Sequence, residues 1–281
     1  MKAFRFSLAF LLIAAFSMVS FSQTPEETGT RLMKENDDRP VFERVKNRVH
    51  LKIYSSSGQL RFTKLLIMGA YTENMGTPNQ VERYITYFMA PPDDMGNSYL
   101  AYNYKNIPDE KYLYLKGIRK AKKVTGADKK LSFFGSDFTN GDMGKPDLLE
   151  WKYRYIGDRK VTFKGKEFDC YAVEAVPINE KMKRELGYGK KITFLEKKTR
   201  LSLKLEYYDE DMTKWKEMRL ISFTSANNVR GEKVYYETGL ELKNVKTGSR
   251  TELLFLEPKF ESESKLRTDI FTIQYLTQKW W

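Results

Sequence analysis

Few side chains in this sequence are equipped for covalent chemistry, and their spacing does not favour it. The one histidine, His50, stands beside Lys52 on the polar side of an alternating apolar stretch, the place of a solvent-facing structural residue. A serine hydrolase would have to use it, yet no G-x-S-x-G elbow occurs anywhere in the chain. Gly135-Ser136-Asp137 holds the loop serine that invites an esterase reading, with Ser136 as nucleophile and His50 as base; a turn or cap explains Ser136 equally well. One cysteine and one histidine cannot build the usual zinc site. Cys170 has Phe168 and Ala172 on its own strand face and Tyr171 and Val173 on the other, so it reads as a small buried hydrophobe. Asp209, Glu210 and Asp211 offer carboxylates to calcium, although a charged hairpin loop accounts for them more simply. Neither a Walker-type loop nor a G-x-G-x-x-G follows any strand. The expectation is a protein without metal or cofactor, and not an enzyme.

Binding is the better-equipped alternative. Lys116-Gly117-Ile118-Arg119-Lys120-Ala121-Lys122-Lys123 is dense in positive charge beside Tyr112 and Tyr114. Its charges fall on both faces of an extended strand, which is not how a nucleic-acid platform is built. Lys116, Arg119, Lys120, Lys122 and Lys123 are therefore candidates for docking an anionic lipid head group or a protein partner. A second candidate region is 133–145, rich in Gly, Asp and aromatic residues. Phe133, Phe134, Phe138 and Met143 must bury themselves somewhere, either plugging the open end of a barrel core or lining and lidding a hydrophobic pocket. Leu113 and Leu115, just before the basic run, join them as candidate cavity residues.

The elements that would position these groups are mostly strands. Lys2 and Arg5, the apolar run Leu8 to Val19 and the small residues of Ser20-Phe21-Ser22 read as a signal peptide, residues 1–22, cleaved before Gln23. No cysteine lies near that point, so an exported, periplasmic chain without a lipid anchor is expected. Cleavage removes two of the twelve net positive charges and leaves a basic but interleaved surface. The lone cysteine permits no internal disulfide, so the fold must rest on an apolar core. Thr24 to Asp38 reads as a helix, with Pro25 in its first turn and Arg39-Pro40 beyond its end. From there the period becomes two: Val49, Leu51 and Ile53 against His50, Lys52 and Tyr54, then Leu60 to Tyr71 after the turn at Ser57-Gly58. Leu201, Leu203, Leu205 and Tyr207 repeat it, as do Ile221 with Phe223, Leu240 with Leu242, and Leu253 with Phe255. Gly157-Asp158, Gly165-Lys166 and Thr247-Gly248 read as hairpin turns. Ala90 to Gly96, with its paired prolines, must interrupt the ladder. About ten to a dozen strands joined by short turns make an antiparallel meander in one domain, residues 23–281.

Three segments resemble the LolA-like outer-membrane lipoprotein-sorting proteins, in the branch associated with resistance-nodulation-division (RND) type transporters. They are Gly29, Met33, Asp37 and Arg39 of the helix; Phe88 to Gly96 with Tyr99-Leu100, Tyr112 to Leu115, Phe134 to Phe138 and Asp142; and Asp269-Ile270-Phe271-Thr272 with Tyr275-Leu276. Lys116 departs from the family's usual proline, and Asn140-Gly141 from its aromatic-acidic pair. The resemblance implies a mainly β protein, an incomplete antiparallel β-barrel with short helices over its concave face. It also implies a carrier of lipid or lipoprotein acyl chains, with an RND-type transporter as a possible partner; a monomer is expected. A lipid esterase and a purely structural envelope protein are the competing readings.

Overall fold

The computed structural model describes residues 23–281, so the expected signal segment, residues 1–22, lies outside the described residues. The first element is α1 (Pro25–Asp37). Thr24 Oγ1 accepts from the Glu27 backbone N–H at 3.2 Å, and Glu27 Oε2 accepts from that of Thr24 at 2.8 Å. This reciprocal box satisfies two of the donors that a helix start leaves unpaired, and Pro25 has no N–H to leave unpaired.

Strands follow in two meanders. The first holds β1 (Arg44–Tyr54), β2 (Leu60–Glu73), β3 (Val81–Ala90), β4 (Ser98–Tyr104), β5 (Glu110–Leu115) and β6 (Lys120–Lys123). The second holds β7 (Trp151–Phe163), β8 (Lys166–Pro177), β9 (Lys190–Glu196), β10 (Ser202–Tyr208), β11 (Lys214–Asn227), β12 (Lys233–Asn244) and β13 (Arg250–Phe260), with α2 (Glu180–Leu186) between β8 and β9. All pair antiparallel in one 13-stranded sheet ordered β6-β5-β4-β3-β2-β1-β13-β12-β11-β10-β9-β8-β7. The meanders join where β1 meets β13, with Leu51 opposite Leu253. The sheet curves without closing into a barrel. Its two free edges, β6 and β7, are consecutive in sequence, so segment 124–150 must travel from one edge to the other.

Alternation decides which side chains face inward. Along β1, Val45, Val49, Leu51 and Ile53 are buried; in the second meander Leu203, Leu205 and Tyr207 of β10 are buried, as is Leu201 just before it. Two expectations need correction. Gly157-Asp158 is not a turn: it lies inside β7 as a bulge, where pairing with β8 jumps between Tyr155 and Asp158 and Gly157 adopts φ +100°. In β11 it is Leu220 that is buried, while Ile221 is half-buried and Phe223 exposed. Register breaks on either side of Ser222 shift the period there, which a count of alternating residues does not register. The thirteen strands are one more than the dozen anticipated, and the end of the basic run forms the edge strand β6.

The C-terminal segment covers the outer face of the first meander. Leu266, Ile270, Phe271 and Leu276 bury Ile85 and Leu100, and Ser98 Oγ and Tyr102 OH donate to the carbonyls of Leu276 and Phe271 at 2.7 and 2.9 Å. β3 and β4 are thereby enclosed on both faces, which makes them a rigid wall for what lies on the inside.

Candidate binding cavity

Segment 124–150 crosses the concave face and is pinned to both halves of the sheet. On one side Phe133 packs edge-on to Tyr99 of β4, ring centroids 5.7 Å apart, and Phe134 lies 4.3 Å from Phe88 of β3. Phe134 and Gly135 both have left-handed backbones, φ +49° and +78°, and the sharp reversal they make separates the aromatic pair from Phe138. On the other side the Asp137 carboxylate accepts from Thr251 Oγ1 at 2.8 Å and Ser249 Oγ at 2.7 Å. Asp142 Oδ2 accepts from Tyr188 OH and from the Thr139 backbone N–H, both at 2.8 Å. Paired so, the loop's polar groups can be buried without the cost of leaving them unsatisfied.

Behind this crossing the concave face keeps a cavity of about 350 Å³. Val49 and Leu51 of β1, Leu66 and Met68 of β2, Leu205 of β10 and Leu253 of β13 form its walls. Met33 of α1 and Phe133, Phe138 and Met143 of the crossing complete the apolar lining. α1 can lie close because Gly29 has no side chain: a Cβ there would sit 2.7 Å from the Arg154 backbone of β7. Polar groups gather where α1 ends. Arg39 pairs with Glu237 at 3.2 Å, Lys105 with Asp37 at 2.5 Å, and Lys145 with Glu82 at 2.5 Å. These pairs tie the helix end to both meanders. Tyr84 also lines this end, and burial, followed by the neighbouring Glu82 carboxylate, raises its pKa well above the usual phenol range.

Of the residues singled out from sequence, Phe133, Phe138 and Met143 line the cavity. Phe134 and Leu113 pack against the same core without reaching its lining, and Leu115 is half-buried at the end of β5, also away from it. Lys116, Arg119, Lys120, Lys122 and Lys123 stand on and before the edge strand β6 and none of them lines the cavity. Lys122 pairs with Asp128 at 2.8 Å and Lys123 with Glu110.

The esterase pair does not assemble. Ser136 Oγ donates to the Phe133 carbonyl at 2.7 Å within its own loop. His50 belongs to the outer face of β1, since its neighbours Val49 and Leu51 face the cavity. Burial, then Lys52 and Arg48, lowers its pKa. Cys170 is fully buried, and burial pushes its thiol up to about 12, away from thiolate chemistry. Asp209 closes the β10–β11 hairpin by accepting from the backbone N–H groups of Asp211 and Thr213 and pairs with Lys246. Among the described residues no three His, Cys, Asp or Glu side chains are grouped to hold a metal ion.

Comparison with known proteins bears on the fold as a whole. A family model described only as an uncharacterized protein matches residues 80–278. No curated protein matches the chain. Among solved structures, a domain from Vibrio parahaemolyticus described as an outer membrane lipoprotein-sorting protein superposes with TM-score 0.75 at 20% identity, covering 90% of this chain and 100% of that one. A DUF1329 family protein from Desulfovibrio piger gives 0.75 at 22%, with the same coverage. A LolA superfamily protein from Nitrosomonas europaea gives 0.59 at 16%, again covering 90% and 100%. At such identities the likeness is one of fold: the open, curved antiparallel sheet is common to all of them.

Proposed function

We propose that this chain, which belongs to the DUF1329 family and shares the fold of LolA-like proteins, is a periplasmic carrier that shelters the acyl chain of a lipid or lipoprotein in its concave face. One observation supports this reading above the others: the cavity behind the crossing loop, walled by leucine, valine, methionine and phenylalanine from both meanders and from α1. A core serving stability alone has no use for a void of about 350 Å³, because unfilled space forfeits packing energy. An acyl chain of about sixteen carbons costs water on the order of 12 kcal/mol, at about 0.8 kcal/mol per methylene. Covering it is favourable even after the loss of translational freedom on binding. The task requires no reacting group. The exposed basic edge at Lys116 to Lys123 suits docking to a membrane transporter, for which the RND type is the partner proposed. Such docking would place an open edge, not the loop-covered face, against the partner.

Displacement of a fluorescent acyl probe tests the proposal on the mature protein. The probe is expected to bind and to be displaced by unlabelled chains. Leu253→Trp, which fills the cavity from β13, is expected to weaken it about tenfold or more, the equivalent of about 1.4 kcal/mol. Absence of probe binding, or affinity unaltered by the tryptophan, would contradict the carrier reading.

A further inference from the structure

The apolar cavity holds a cation without a counter-ion. In β9, Lys191, Thr193 and Leu195 share the concave face by the two-residue period, and Thr193 and Leu195 are buried. Lys191 lines the cavity, with its Nζ 3.7 Å from the centre of the Trp151 ring of β7. Among the described residues no carboxylate lies within 4.0 Å of that ammonium, and no side chain or carbonyl accepts a hydrogen bond from it. The cations around it are already engaged: Arg39 and Lys145, which also line the cavity, pair with Glu237 and Glu82. Lys111 Nζ donates to the Gly141 carbonyl at 2.9 Å. Lys216 Nζ donates to Tyr188 OH at 3.2 Å and stands 4.0 Å from Asp142 Oδ2, an oxygen that Thr139 and Tyr188 also use.

Lys191 keeps part of its surface accessible although desolvation dominates its titration, as expected of a group that lines a cavity. Burial draws its pKa down to about 8, so the side chain remains mainly protonated at neutral pH. The Trp151 face offsets some of the cost of that charge, but an aromatic ring is worth much less to a desolvated ammonium than an anion is. An oxyanion brought in by the ligand would complete the site.

We propose that Lys191 receives the anionic head, a carboxylate or a phosphate, of a single-chain amphiphile whose chain lies against Leu51, Leu66, Leu205 and Leu253. This rests on the carrier reading and narrows it to one ligand class. One chain, not two, matches a cavity near the lower end of the usual ligand-pocket range of about 300–1,000 Å³. The head group therefore binds within the sheet, on β9, and not at the basic edge strand.

Competition for the acyl probe by palmitate, palmitoyl lysophosphatidic acid and hexadecanol separates charge from chain, since all three carry sixteen carbons. At pH 7 at least one anionic ligand is expected to compete about tenfold or more better than hexadecanol, a preference worth about 1.4 kcal/mol. That ratio should fall close to one in Lys191→Met and persist in Lys191→Arg, with circular dichroism confirming that both variants fold. For palmitate the wild-type preference should shrink between pH 7 and 9 as the ammonium deprotonates. Asp142 and Glu150 hold the proton on and Lys111 drives it off. The better competitor of the two anions identifies the head group as carboxylate or phosphate. Equal competition by hexadecanol and both anions in the wild type, or a preference that survives Lys191→Met, would overturn the proposal while leaving the carrier reading intact. If none of the three displaces the probe, both fail.

Discussion

Asp109, at the turn into β5, is one residue through which pH acts on this fold. Burial, with the Asp147 carboxylate adding to it, lifts its carboxyl to about 7, even though the Tyr104 backbone N–H donates to it at 2.9 Å. In the unfolded chain an aspartate titrates near 3.9. The native state therefore holds a proton that the unfolded state has already released between those values. Stability from this group is complete below about pH 4 and is lost as pH rises through about 7. Thermal melts from pH 4 to 8 should show Asp109→Asn with a shallower loss of stability over that window than the wild type; parallel profiles would count against it. At this scale the sequence is only partly informative. The aromatic residues of 133–143 announce themselves because four large apolar side chains in a Gly- and Asp-rich loop have no reason to be exposed. Lys191 does not, because Lys190 precedes it and only the strand register tells which of the two faces inward. Its spacing of two and four from Thr193 and Leu195 points inward only when 190–196 is already known to be a strand with Leu195 buried.

Among the elements, α1 shows how one missing side chain fixes an arrangement. A Cβ on Gly29 would meet the backbone of Arg154, which cannot yield as a flexible side chain can. Gly29→Val should force the helix off β7 and cost roughly 1–3 kcal/mol of overpacking strain. Urea denaturation would reveal it as a lower midpoint, and an unchanged midpoint would mean that the helix does not lie where it is described. The helix was legible from Pro25 in its first turn and Arg39-Pro40 beyond its end; the box that Thr24 and Glu27 form at its start was a further signal, three residues apart, that went unused. Strands with clean alternation, β1 and β10 above all, were equally plain. The bulge at Gly157 and the register breaks around Ser222 were not, because a bulge is a relation between two strands and leaves little trace in either one.

At the scale of the whole molecule, the decisive contact is the one between β1 and β13, which joins the two meanders although some two hundred residues separate them in sequence. Local turns predict each meander; nothing local predicts that the first and last strands pair, or that the sheet's free edges are β6 and β7. From that topology the rest follows. The connection between the edges has to cross the concave face, it carries Phe133 and Phe138 into the interior, and a cavity lined from both halves remains behind it. The expectation of an incomplete barrel drew on the resemblance of separated motifs as well as on alternation, and those motifs lie where the fold needs them. The helix residue Met33 lines the cavity, and Ile270 and Phe271 seal the outer wall. Sequence alone could not supply the enclosed volume, which depends on how far the sheet curls. On the proposed reading this volume holds a hydrophobic chain. Native mass spectrometry of protein isolated gently from cells, followed by organic extraction, is the measurement to make. The expected spectrum shows a mass raised by one small amphiphile that extraction releases and that Leu253→Trp no longer carries. A mass equal to that of the bare chain, unaltered after incubation with membrane vesicles, would contradict it.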